Sequence, residues 1–195
     1  TPSMIKTDLT VDAPIAGTFN IAGRLADNSQ LSNYGATLKV TGNNNGVILG
    51  GFNLRNGTTV FDGTGYFNLT NNACTIGATN SSSVCRVVVT NGAALARFVP
   101  SSGGAANATQ QILVRDWGAK GAILDVRAGG AVTNKIQIGT TSGTKGALYV
   151  DGGSACMLSR DANDGYLGQD GYGFTGVYAG VYDIVGWLGI GILAV

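Results

Sequence analysis

The residues best equipped for chemistry in this chain are three cysteines, eleven acids and seven tyrosines, and histidine is absent. Without histidine, Ser-His and Cys-His nucleophile pairs cannot be built, and the commonest general base and metal ligand is missing. No spacing among the carboxylates singles out an acid/base pair. Lys39, Lys120, Lys135 and Lys145 lie among many hydroxyl residues, but no motif joins one of them to a serine. No CxxC or Cys/His cluster marks a zinc site. The chain therefore reads as a non-enzyme, with no catalytic residues, no cofactor and no metal.

Two motif matches fail on their surroundings. Gly171, Gly173 and Gly176 fit GxGxxG, but 32 glycines in 195 residues make one such match expected by chance. The segment that follows, Val177 to Tyr182, reads as strand where a dinucleotide-binding turn needs a helix. Asp161, Asn163 and Asp164 resemble the start of a calcium loop. An EF-hand needs Gly and Glu at its sixth and twelfth positions, and Tyr166 and Tyr172 stand there instead.

Binding and cross-linking remain. Tyr166, Tyr172 and Tyr178 cluster near the C-terminus and are candidates for an aromatic ligand-binding platform of the kind that holds sugars. The competing reading is core or cross-strand packing. Cys74 and Cys85 flank a turn-rich segment and are expected to form a disulfide; the alternative is buried free thiols that act as small hydrophobes. Cys156 is left over.

Bulk composition narrows the class. Charged residues make up 12% of the chain, against about 25% in an average soluble domain. Net charge is +1, so the basic excess that drives nucleic-acid binding is missing. An apolar share of 44% is too high for a disordered chain. The longest uncharged apolar run, Ile184 to Val195, is shorter than the ~20 residues of a membrane-spanning helix. The first residue is Thr rather than Met, which reads as a mature chain whose signal peptide has been cleaved on export.

The elements that must position these residues are strands. Ile5, Thr7, Leu9 and Val11 alternate with Lys6, Asp8 and Thr10, and the same period of two recurs at 18–25, 36–40 and 132–138. Asn-Gly and Asp-Gly pairs, such as Asn91-Gly92 and Asp151-Gly152, punctuate them in the manner of tight hairpin turns. No internal repeat of fixed period is visible. Short strands and close-set turns predict an all-β antiparallel sandwich, immunoglobulin-like or jelly-roll. Residues 15–195 would form its single domain, and residues 1–14, closed by Pro14, a separate assembly strand.

That terminal strand carries a family resemblance. Ile5-Lys-Thr-Asp-Leu9-Thr-Val11-Asp12-Ala-Pro14 resembles the N-terminal donor strand of chaperone–usher pilus subunits of the alpha type. Gly176-Val-Tyr178-Ala-Gly180-Val-Tyr182 resembles the Gly-x-Tyr-x-Gly run before their last strand. The matches cover about 20 of 195 residues. Three cysteines and a long apolar tail depart from the family's pattern. The resemblance implies a sandwich lacking one strand, completed by strand exchange, with Ile5, Leu9 and Val11 as plugs for a neighbour's groove. It implies a periplasmic chaperone and usher as partners, besides the chain itself and a host glycan or surface receptor.

The expected function is thus a structural subunit of an extracellular filament that polymerises and supports adhesion. Two alternatives stand beside it. One is a viral or phage capsid or fibre protein, the other a secreted carbohydrate-binding module built on the tyrosines.

Overall fold

The computed structural model describes residues 9–11, 18–22, 30–41, 47–49, 51–64, 66–69, 74–77, 84–96, 111–117, 120–158, 166–185 and 188–190. They are all-strand, with no helix among them. The chain winds in successive coils. The first coil holds β1 (Leu9–Val11) and β2 (Thr18–Ala22), the second β3 (Gln30–Thr41) and β4 (Val47–Leu49), and the third β5 (Gly51–Asp62) and β6 (Tyr66–Leu69). The fourth holds β7 (Cys74–Ile76), β8 (Cys85–Thr90) and β9 (Ala94–Ala96), and the fifth β10 (Ile112–Val114), β11 (Ala122–Arg127) and β12 (Ala131–Asn134). The sixth holds β13 (Ile136–Ile138) and β14 (Lys145–Leu158), and the seventh β15 (Tyr166–Leu167) and β16 (Tyr172–Val185); β17 (Gly189–Ile190) opens an eighth.

Every strand pairing is parallel, and each joins one coil to the next. The pairings sort into three faces. One runs β1-β3-β5-β7-β10-β13-β15-β17, the second β2-β3-β5-β8-β11-β14-β16, and the third β4-β6-β9-β12-β14-β16. The long strands β3, β5, β14 and β16 bend at a register shift and so serve two faces each. This is a three-sided parallel β-solenoid. The expected antiparallel immunoglobulin-like or jelly-roll sandwich is not present.

The physical reason for that correction is specific. A period of two says only that one side of a strand is buried, and a solenoid wall satisfies it as well as a sandwich does. Asn91-Gly92 does adopt the left-handed backbone that such pairs favour, with φ of 55° and 85°. But it turns the chain from the second face onto the third instead of reversing it. The Asn91 amide donates to the Ala128 carbonyl of the next coil at 3.0 Å, and the Ala128 amide to the Asp151 carbonyl at 3.1 Å. The corners therefore stack on one another as the strands do.

Glycine is needed where corners pack most tightly. Gly77 has φ of +106°, and a Cβ placed on it would lie 2.1 Å from the Arg115 carbonyl oxygen of the coil above. Only a residue without a side chain fits. Asn33 holds another corner with its buried side chain. Its Oδ1 accepts from the backbone amides of Gly35 at 3.1 Å and Ala36 at 3.0 Å. Its Nδ2 donates to the Ala36 carbonyl and to Thr59 Oγ1, both at 3.0 Å.

The core is a set of columns parallel to the coil axis. On the second face Val40, Phe61, Val89, Val126, Val150 and Val177 stand in register, one per coil. The first five are fully buried. Phe52, Phe61 and Phe67 come from three different faces of the third coil and meet at its centre, with ring centroids 6.1 Å and 5.0 Å apart. Phe61 is the shared ring. Truncating it to Ala should cost about 3–5 kcal/mol, read as a lowered urea midpoint. Asn33→Ala strands two corner amides without an acceptor and should cost about 2 kcal/mol in the same measurement.

Candidate functional site

The outward side of the second face changes character along the solenoid. Near its start, on β3 and β5, it is polar and charge-paired. Lys39 contacts Asp62, and Asn91 Nδ2 donates to Asp62 Oδ1 at 2.6 Å. The Lys39 ammonium, followed by the Asn91 amide, holds the Asp62 carboxyl below the usual range.

From β14 onward aromatic rings enter. Tyr149 on β14 packs against Phe174 and Tyr178 of β16, with centroids 5.7 Å and 6.1 Å away, and its ring lies nearly parallel to that of Tyr178 at 22°. Tyr172 and Tyr178 are 70% and 72% exposed and Phe174 52%. Strand alternation puts Tyr172, Phe174 and Tyr178 on one side of β16, and Gly176, the register partner of Tyr149, leaves room for the Tyr149 ring between Phe174 and Tyr178.

The charged half of the surface is built on β8 and β11. Asp125, almost wholly enclosed, lies 2.6 Å from Arg127 Nη2 and 3.3 Å from Arg86 Nη2. Residues 125 and 127 share a side of β11, and Arg86 sits one coil below on β8, paired with Ile123. The hydrogen bond to Asp125 raises the Arg127 guanidinium above its ordinary value. Two shallow depressions of about 410 Å³ and 300 Å³ flank Tyr149 and Ile123, which line both. Lys120, Lys145 and Phe174 border the first; Arg86, Asp125 and Tyr178 border the second.

The residues singled out from sequence fall in different places. Tyr172 and Tyr178 share the exposed surface of β16, whereas Tyr166 is buried at 8% exposure on β15 of another face. Ile5 and Thr7 lie outside the described residues, as does the candidate calcium loop at 161–165. Leu9 and Val11 belong to β1, which pairs with β3 of the same chain, Leu9 with Leu31 and Val11 with Asn33. The three β1 residues of the expected assembly strand form a rung on the first face of the solenoid. Tyr149, Phe174, Arg86, Asp125 and Arg127 were not singled out. They are scattered in sequence, and only the coil register brings them together.

Cys74 and Cys85 are free thiols, not the expected bridge. They open strands on two different faces, and each is buried in the core. Cys85 Sγ donates to the Leu54 carbonyl at 2.9 Å. Among the described residues no helix is long and apolar enough to cross a membrane. Compared with family models, with curated proteins and with solved structures, the chain matches none.

Burial pushes both thiols up to about 12 from an ordinary value of 9.0. Below pH 9 they are protonated whether the chain is folded or not. Above it the unfolded chain ionises them and the folded chain does not, so stability should fall as pH rises from about 9 toward 12. At pH 8 the native protein should leave Cys74 and Cys85 unreacted with a chromogenic disulfide reagent, and denaturant should release both.

Proposed function

We propose that this chain is a structural subunit of an extracellular filament, and that copies join head to tail by stacking solenoid ends. One observation carries the reading. The buried column on the second face runs uncovered into β16. Val150 is fully buried and Val177, its register partner one coil on, is 47% exposed. On the third-face half of β16, Tyr182 pairs with buried Ala155, and Ile184, two residues on and 38% exposed, continues the inward apolar edge. β16 is 14 residues long and bonds β14 along one side. Among the described residues no strand pairs with its other side.

An open parallel strand of this length accepts another strand. The occupant that fits is β2 of a second copy, which opens the same face and bonds only β3 among the described residues. Any coil repeats the pitch and twist of the one below it, so the first coil of one copy continues the last coil of another. Such a contact joins two different surfaces and does not close on itself, which gives a fibre rather than a dimer. At ~4.8 Å per coil, seven coils add roughly 35 Å of length per copy. Strand addition at an end replaces the exchange of a plug strand into a sandwich groove, for which this fold has no groove.

The free thiols favour a second reading, in which the same stacking builds a viral or phage fibre assembled inside a reducing cell. Both readings need the edge. Replacing Val177 and Ile184 with Lys removes about 1.5–3 kcal/mol of burial per side chain and sets like charges on the joint. Sedimentation and negative-stain microscopy of the wild type should show filaments, and the double variant should remain monomeric at 100-fold higher concentration. A wild type that stays monomeric, or a variant that polymerises equally well, overturns the reading. Isolating the chain with its native export or virion fraction separates the two settings.

A further inference from the structure

We propose that the outward surface of β8, β11, β14 and β16 is a binding groove for a linear oligosaccharide. It is distinct from the end-stacking edge. Strand edges point along the coil axis, whereas this groove lies on the side wall, across it.

Three features on the wall converge on that chemistry. The first is the line of aromatic faces. Tyr172, Phe174 and Tyr178 are more than half exposed, and Tyr149 braces the last two from β14. A pyranose ring offers an apolar C–H face that packs on such rings, which lose little conformational freedom in the process. The second is the balance of charge beyond Tyr149, where Arg86 and Arg127 face Asp125 and Asp151 in one depression of about 300 Å³. Neutralised guanidinium and carboxylate pairs hydrogen-bond vicinal hydroxyls. They give no net attraction to a phosphate or a nucleic acid. The third is an unused donor: Arg86 lines that depression, its Nε has no hydrogen-bond partner, and its side chain, 40% exposed, is free enough of the core to turn that donor toward the depression. A ligand hydroxyl would satisfy it.

Length fits as well. The groove follows β14 from Lys145 to Asp151, six residue steps at ~3.3 Å each, or about 20 Å. That suits several sugar units rather than one. Lys120 and Lys145 border the far depression without an acid among its lining residues, so an acidic substituent on the chain would sit at that end. A peptide would instead bind through main-chain hydrogen bonds, and the side wall of an interior strand has none to give.

Titration calorimetry with hexasaccharides of β-1,4-glucose, β-1,4-N-acetylglucosamine and α-1,4-galacturonate tests this. The protein is taken as wild type and as the Val177→Lys/Ile184→Lys variant, so that failure to polymerise and failure to bind are read separately. At least one hexasaccharide should bind both forms, with quenching of tyrosine fluorescence. Tyr178→Ala and Tyr172→Ala should each weaken it 10-fold or more with an unchanged melting curve, because both rings are exposed and support no core. Arg86→Lys keeps the charge but removes Nε–H and should weaken binding several-fold. If galacturonate alone binds and 0.5 M salt abolishes it, the lysine end carries the affinity and the proposal holds for acidic glycans. Absence of binding to all three, or binding indifferent to the tyrosine substitutions, overturns it.

Discussion

The parallel hydrogen-bond ladder between coils is the constraint on which the rest of this structure depends. Each residue in a wall bonds to its counterpart one coil away, so like positions stack on like. An inward valine must sit above and below other inward side chains, as Val89, Val126 and Val150 do. An outward acid must sit within reach of outward neighbours, as Asp125 sits between Arg86 and Arg127. A charge placed in an inward column would meet its neighbours at the ~4.8 Å strand spacing with no water between. The low charge content of the chain follows from how many of its positions are in such columns.

The ladder also sets the corners. Strands can stay in register only if every coil turns at matched points, and a turn that stacks on another leaves little room for a Cβ. Gly77 against the Arg115 carbonyl shows the limit of close approach. Where a side chain is kept at a corner, it is one that bonds the backbone, as Asn33 does. Coil lengths vary, and that variation is absorbed between strands. Leu31 pairs with Phe52 and Ile76 with Val114, separations that differ widely although the ladder is continuous. A sequence can thus repeat in space without repeating at a fixed interval.

That variation explains what could be read from the residues alone. The strands were legible because alternation is a property of a single segment. Their partners were not, since Asn91-Gly92 and Asp151-Gly152 tolerate positive φ equally well in a hairpin and in a solenoid corner. With no fixed period to see, segments adjacent in sequence read as antiparallel neighbours, and that reading leads to a sandwich. The same gap divided the tyrosines. Tyr172 and Tyr178 share a wall with Tyr149, which lies more than 20 residues away in sequence, while Tyr166 belongs to another face. Cys74 and Cys85 are close in sequence but open strands of different faces, so proximity along the chain did not become a bond.

The two surfaces proposed for function are the two places where the ladder's logic is incomplete. At β16 the inward column meets no further strand among the described residues, and the apolar edge left there is a surface only another parallel strand can satisfy in kind. On the side wall no described element lies over the outward columns, so whatever they bind must be read by side chains alone. These demands pull on the same strand in perpendicular directions without competing. The inward groups of Val177 and Ile184 serve the first, and the outward rings of Tyr172, Phe174 and Tyr178 serve the second. In a filament built by end stacking, every copy would present its side-wall groove at a regular interval of roughly 35 Å, one per seven coils. A groove too shallow to hold a glycan tightly would then engage a repeating polymer at many points at once, where effective concentration rather than single-site affinity decides the strength of attachment.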